Sequence, residues 1–294
     1  MKSRSGYILL ITLLMIVMAG LFSMSLARTS LFLAMDAAKA QEDLQRRWGA
    51  ISCRYVILHR AEILFRKREC IQNDNALLLP RIQTTIRLGS MDFDLLLSDE
   101  QAKLNLNTVL VEKRLRSVER VLNIAPNSPS GLLSVELSPH PDAVPDELFP
   151  PAFDSWGQLF SYERSRHSQD GSIVARAIRD GTTDMTCWGD GKLNVLRAEI
   201  PLLRMTCRLL IPNESANRFL KSRTKCPHWN LEQLLNRTDL QRKERRVLRK
   251  WLTDRSTCHS LWIIASDGKR EWVILDVLQS LGQNSHPRIV TFNW

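Results

Sequence analysis

The residues of this chain that could do chemistry are scattered. His59, His140, His167, His228, His259 and His286 stand at no spacing that pairs an imidazole with a nucleophile or a carboxylate. There is no P-loop, no GxGxxG, no HExxH and no GxSxG. An anchored hydrolase therefore has no constellation to carry it. The six cysteines, Cys53, Cys70, Cys187, Cys207, Cys226 and Cys258, suit an oxidising compartment, and their pairing is left open. Cys226-Pro227-His228 with Cys258-His259 offers thiols and imidazoles, but at a spacing unlike that of zinc sites. Buried or disulfide-bonded cysteines are the expectation there. Asp92, Asp94, Asp99, Asp184 and Asp190 show no EF-hand-like ligand spacing.

The most basic stretch lies at 231–252, where Thr238-Asp239 reads as the cap of a helix running to Leu252. Leu240, Val247, Leu248, Trp251 and Leu252 would face inward, and Arg242, Lys243, Arg245, Arg246, Arg249 and Lys250 outward. Such a face fits nucleic acid, lipid phosphate or an acidic partner, and it equally fits plain solvation. The net charge of +10 suits an acidic partner without identifying one. Helix-hairpin-helix modules grip phosphate with a glycine-rich turn. The corresponding turn here, Ile211-Pro212-Asn213, has no glycine, which argues against DNA.

The element that must carry everything else is the N-terminal helix. After the basic head Met1–Ser5 and Gly6, residues Tyr7 to Ala27 hold no charge. As a helix they would span roughly 30 Å, the thickness of a bilayer core. An apolar stripe continues through Leu31, Leu44, Trp48, Ile51, Tyr55 and Leu58 to Leu64, so one helix is expected over 7–70. A Sec signal cut near Ser25-Leu26-Ala27, a plain anchor, and a prepilin-like leader cut after Gly6 all fit the segment. The basic head places the N-terminus in the cytoplasm by the positive-inside rule.

Beyond it, 81–88 and 91–97 read as a hairpin turned at Gly89-Ser90. A short helix is expected over 111–125, then an extended Pro-rich connector over 126–151, then core residues at Phe153 and Trp156–Phe160. Residues 161–171 read as a loop, 199–210 and 213–223 as helices, and 259–265, 270–277 and 288–294 as strands. Two segments echo each other. Ser98 to Thr108 and Trp188 to Leu196 each set an Asp turn before Lys-Leu-Asn and a further apolar residue, and two unrelated turns fit the spacing as well. Each reads as a turn feeding a short strand, its Asn side chains satisfying local backbone groups.

With the leader, these motifs resemble the K-type minor pseudopilins of bacterial type II secretion systems. That family carries an Asp-x-x-Gly/Ala-Lys-Leu-Asn-Leu-Asn segment, matched by Asp99 to Asn107, and a Trp-Gly-Asp-Gly-Lys-Val-Asn-Val-Asn segment, matched by Trp188 to Leu196. The chain departs from the family at Leu196-Arg197-Ala198-Glu199, where Asn-Thr-Ala-Pro is usual.

The resemblance implies an α+β fold: a long N-terminal transmembrane and amphipathic helix, then a pilin-like antiparallel sheet interrupted by an inserted helical domain. The expected divisions are a leader (1–6), the helix (7–70, membrane span 7–27), first strands (71–110), the insert (111–255) and last strands (256–294). It implies prepilin peptidase cleavage between Gly6 and Tyr7 and methylation of the Tyr7 amine. At the fifth position after the cut stands Ile11, where major pilins hold a Glu, and lacking this Glu is a feature of the K-type family. A non-enzymatic subunit at the tip of a pseudopilus follows, single-pass in the inner membrane with its head in the periplasm, partnered by other minor pseudopilins. Calcium is permitted, with no residues assigned. The competing reading is an anchored protein whose basic helix holds DNA or an acidic polymer in a pilus-linked uptake system.

Overall fold

A computed structural model describes residues 4–71, 78–113, 115–124, 133–142, 151–162, 171–227, 229–268, 270–280 and 287–294. His167, His228, His286, the side chain of Cys70, and most of the Pro-rich connector lie outside them. The chain divides into two units, Met1–Gly49 and Ala50–Trp294.

The first unit belongs to one helix, α1 (Arg4–Ile57). It contains no proline, and its long unbranched side chains favour helix. From Tyr7 onward it is long and apolar enough to cross a membrane. Its apolar side chains are exposed, Leu9 at 73% and Met15 at 70%. Where charge enters, Asp43 pairs with Arg46 and Arg47 on the next turn.

In the second unit the end of α1 passes through a 3₁₀ turn (Leu58–Arg60) into α2 (Ala61–Ile71), so the expected single rod has one break. The hairpin follows as β1 (Arg81–Leu88) and β2 (Met91–Asp99). Leu88 faces Met91 across the two-residue turn, and Gly89 there adopts φ 63°, which a side chain would oppose.

Next come β3 (Leu104–Asn105), α3 (Leu106–Lys113), α4 (Leu115–Ile124), β4 (Leu133–Val135), β5 (Phe160–Tyr162), α5 (Gly171–Gly181), β6 (Met185–Thr186) and β7 (Leu193–Asn194). Then follow α6 (Ile200–Leu210), α7 (Asn213–Lys225), α8 (Leu231–Arg237) and α9 (Arg242–Trp251). The chain closes with β8 (Leu252–Thr253), β9 (Cys258–Ser266), β10 (Glu271–Gln279) and β11 (Arg288–Asn293).

Three expectations need correction. The helix expected at 111 begins at Leu106, inside the first echo segment. Part of the extended connector is a strand, β4, paired with β5. Thr238-Asp239 is not the cap of α9: Thr238 donates its N–H and hydroxyl to Leu234 and closes α8. The cap is Gln241, in a reciprocal box with Glu244.

β1, β2, β9, β10 and β11 form one antiparallel sheet in that order. Strict alternation gives it two apolar faces. Phe93, Leu95, Leu97, Leu261, Ile263 and Ile274 pack with Cys53, Ile57, Leu58, Ala61 and Phe65 from the end of α1 through α2. Trp262, Ile264, Val273, Leu275 and Val277 point the other way, into a core shared with the helices between β2 and β9. Burying each such side chain is worth about 1.5–3 kcal/mol. On the first face Asp276 of β10 is fully buried; it accepts from Arg54 Nε (2.8 Å) and Thr291 Oγ1 (2.6 Å).

Arg54→Met should therefore destabilise the detergent-solubilised chain by about 3 kcal/mol, since it strands a buried carboxylate. Adding Asp276→Asn should recover much of that loss in a denaturant titration. A double variant no more stable than the single one would mean that the loss does not come from the stranded Asp276 carboxylate.

Candidate functional site

The two echo segments are each other's hydrogen-bond partners. β3 pairs in parallel with β6, which leads into Trp188, and β7 pairs in parallel with β8. Asn105 donates to Trp188 O (2.9 Å), and Asn107 donates to Cys187 O (2.8 Å) and Phe153 O (2.8 Å) while accepting from Phe153 N. Thr108 Oγ1 donates to Gly191 O, and Gln101 Nε2 to Asp190. The asparagines do serve local groups, Asn105 accepting from Thr108 N and Asn194 from Leu196 N. Their amides, though, tie segments far apart in sequence. Gly189 sits at φ 95°, a backbone conformation that a side chain would strain, so the seam favours glycine there although a Cβ would make only ordinary contact with Gln101 (3.4 Å) and Cys258 (3.5 Å). The two lysines of the echo part company: Lys103 is buried on Glu100 (2.6 Å), while Lys192 is exposed.

At the departure from the family pattern stands Arg197, 5% exposed. It donates to both carboxylate oxygens of Glu62 (2.9 and 3.3 Å), to Glu69 (2.8 Å) and to Asp99 (3.2 Å), and its guanidinium lies 4.7 Å above the Phe65 ring. Asp99, fully buried, also accepts from Gln101 N, Asn194 and Ser256. His259 lies against Phe65, with Nε2 3.6 Å from Glu62, an ion-pair distance too long for a hydrogen bond. Burial works against the Glu62 carboxylate, yet His259, Arg197 and Arg66 outweigh it and hold its pKa at about 2. Burial likewise opposes charge on Arg197, and Glu62 and Glu69 hold its pKa above the usual value. The cluster joins α2 to both echo segments; it fixes them in place and holds no exposed nucleophile.

Arg223, fully buried, meets no carboxylate among the described residues. It donates to the carbonyls of Val195 (2.7 Å), Leu196 (2.5 Å) and Pro227 (3.1 Å), and burial lowers its pKa to about 10. Neither Arg197 nor Arg223 was visible as functional in the sequence. The unusual basic residue after the second echo was the only local sign.

The described cysteines are free thiols; Cys53, Cys187, Cys207 and Cys258 are buried, and burial pushes Cys207 up to about 12. Among the described residues no group of three His, Cys, Asp or Glu could hold a metal ion. Asp92 and Asp94 lie exposed on β2, Asp99 is in the Arg197 cluster, and Asp190 is held by Gln101.

The basic face forms on α9, where Arg242, Lys243, Arg246, Arg249 and Lys250 are exposed and Arg245 is half-buried. It is partly engaged: Arg249 makes two hydrogen bonds to Glu232 and Arg245 donates to Leu240 O. At the other end of the chain, Gly6 falls within α1, and Tyr7 and Ile11 are exposed at 67% and 38%.

No protein-family model and no curated protein matches the chain. Among solved structures, a chain of the GspK-GspI-GspJ complex from the type 2 secretion system of enterotoxigenic Escherichia coli matches with a TM-score of 0.50 at 13% identity. The match covers 88% of this chain and 99% of that one. At that identity the likeness is one of fold.

Two outcomes follow from the Arg197 cluster. Arg197→Met should cost about 3–5 kcal/mol, because Asp99 is left buried without its cation. Glu62 has a folded pKa below its unfolded one, so its contribution is present above about pH 4.5 and fades as pH falls toward 2. Discounted for partial exposure, that contribution is about 1–2 kcal/mol. Stability of the Glu62→Gln variant, followed by denaturant midpoint from pH 6 to pH 2, should fall less steeply than wild type; parallel curves would remove this role.

Proposed function

We propose that the chain is a non-enzymatic assembly subunit, a minor pseudopilin-like protein that sits at the tip of a type II secretion pseudopilus and helps initiate its assembly for protein export. The observation that carries the reading is α1. One helix presents an uncharged, exposed apolar stretch, and its later turns cover one face of a sheet whose other face is packed with inserted helices. A helix whose apolar side chains find no cover in their own chain needs lipid or neighbouring helices.

In this reading prepilin peptidase cuts between Gly6 and Tyr7, and the new Tyr7 amine is methylated. Before assembly the chain spans the inner membrane once, with its basic head cytoplasmic and residues from the sheet onward in the periplasm. Residues Tyr7 to Leu26 then pack against the helices of other minor pseudopilins. The apolar Ile11 fits the tip. A Glu here would have no amine of a subunit above to pair with, and an unpaired charge in the bilayer costs roughly 2.5–3.5 kcal/mol. The inserted helices give the head a bulk that would stop another subunit from adding above.

N-terminal sequencing and intact mass of protein from cells carrying the secretion system should find Tyr7 first, with a methylated amine, and Gly6→Ala should leave the leader uncut. A mature protein starting at Met1 or Arg28 would return the segment to a plain anchor or a Sec signal. Ile11→Glu should be processed normally and yet reduce export.

A further inference from the structure

Charge is unevenly spread. Residues 200–252 hold thirteen Lys and Arg against four Asp and Glu, nine of the ten net positive charges of the chain. Several of these cations are engaged internally: Arg223 with three carbonyls, Arg249 with Glu232, Arg218 with Asp239, and Arg237 over the Trp229 ring. Arg204 and Arg208 of α6 are exposed and form no ion pair among the described residues.

α6 is apolar on two sides. Its inner side buries Leu202, Leu203, Thr206 and Cys207. On the outer side Pro201, Met205 and Leu209, each four residues from the next, line a shallow cavity of about 380 Å³ together with Arg204 and Arg208. Among the described residues that follow Ile63 in the chain, Leu209, at 46%, is the most exposed large apolar side chain. Residues spaced by four lie about 6 Å apart along a helix, so the apolar row runs about 12 Å beside an equally regular pair of guanidiniums.

We propose that this outer face of α6 is a docking surface for an acidic amphipathic helix of a partner protein. The partner's apolar stripe would cover Pro201, Met205 and Leu209, and its carboxylates would meet Arg204 and Arg208. Helix-on-helix recognition of this kind uses anchors at spacings of three and four, with flanking charges setting register. The geometry favours a polypeptide over a nucleic acid. A duplex offers phosphates but no apolar counterpart for Met205 and Leu209, and Pro212 in the α6–α7 turn has no N–H to give a phosphate. The surface does not depend on the fate of Tyr7.

The test uses the full chain in neutral detergent. A fluorescent peptide helix, apolar at every fourth position and flanked by glutamates, reports binding by anisotropy. Arg204→Glu with Arg208→Glu should weaken it at least about tenfold, and Leu209→Ser severalfold. Lys243→Glu with Arg246→Glu, an equal charge change on α9, should alter it by no more than about twofold. Circular dichroism melting confirms that each variant is folded; should a reversal unfold the chain, Leu209→Ser decides alone. Absence of peptide binding, equal losses from both reversals, or an indifferent Leu209→Ser would overturn the proposal. So would displacement of the peptide by duplex DNA, polyglutamate or phosphatidylglycerol at matching concentrations, which would mark a general anion surface.

Discussion

A single guanidinium, that of Arg197, stands where three parts of the second unit meet: α2, the first echo segment and the second. Three carboxylates converge on it from residues far apart in sequence, and the Phe65 ring covers one of its faces. Such a cluster contributes little net stability, because desolvating the ions offsets most of their attraction. Its consequence is geometric. A planar fork of donors meeting Glu62, Glu69 and Asp99 together admits few arrangements, so α2 cannot slide along the sheet without leaving a buried charge unmatched. Arg223 does the same for the last carbonyls of the second echo, those of Val195 and Leu196, by hydrogen bonds to backbone.

The sheet allows this because both its faces are apolar. One is covered by the end of α1 and by α2, the other by the helices inserted between β2 and β9. A sheet with one wet face could not hold such an insert. Here the alternation of β9, with Leu261, Ile263 and Ala265 to one side and Trp262 and Ile264 to the other, makes the insert part of the core. The C-terminus is drawn into the same core through aromatic contacts, Trp294 on Trp262 and Phe292 beside Trp188.

Much of this was legible in the sequence. The β1–β2 hairpin was readable because Gly89-Ser90 splits two runs of strand formers, and the three last strands because their β-branched residues are bounded by turns. α9 was readable by its apolar spacing but given the wrong cap: Thr238 and Asp239 have good capping chemistry, and the Gln241–Glu244 pair is a weaker local signal that prevailed because Thr238 already ends α8. β3 and β7 are the short strands read after the two Asp turns; their partners β6 and β8, two residues each, are too short to show any period and exist only because the echo segments pair with them. Arg197 and Arg223 were hidden for a different reason. Their partners are set by the tertiary fold, and a lone arginine in a basic chain carries no mark of being inside.

The strand order has a bearing on how the protein is made. β2 ends at Asp99, its neighbour β9 begins at Cys258, and the whole helical segment is synthesised between them. Until the last strands arrive, Phe93, Leu95 and Leu97 lie on a two-stranded ribbon with an open edge, which is marginal by itself and prone to wrong pairing. Closing so long a loop is slow. A chain stalled or clipped ahead of β9 would thus be left as a sticky half-sheet.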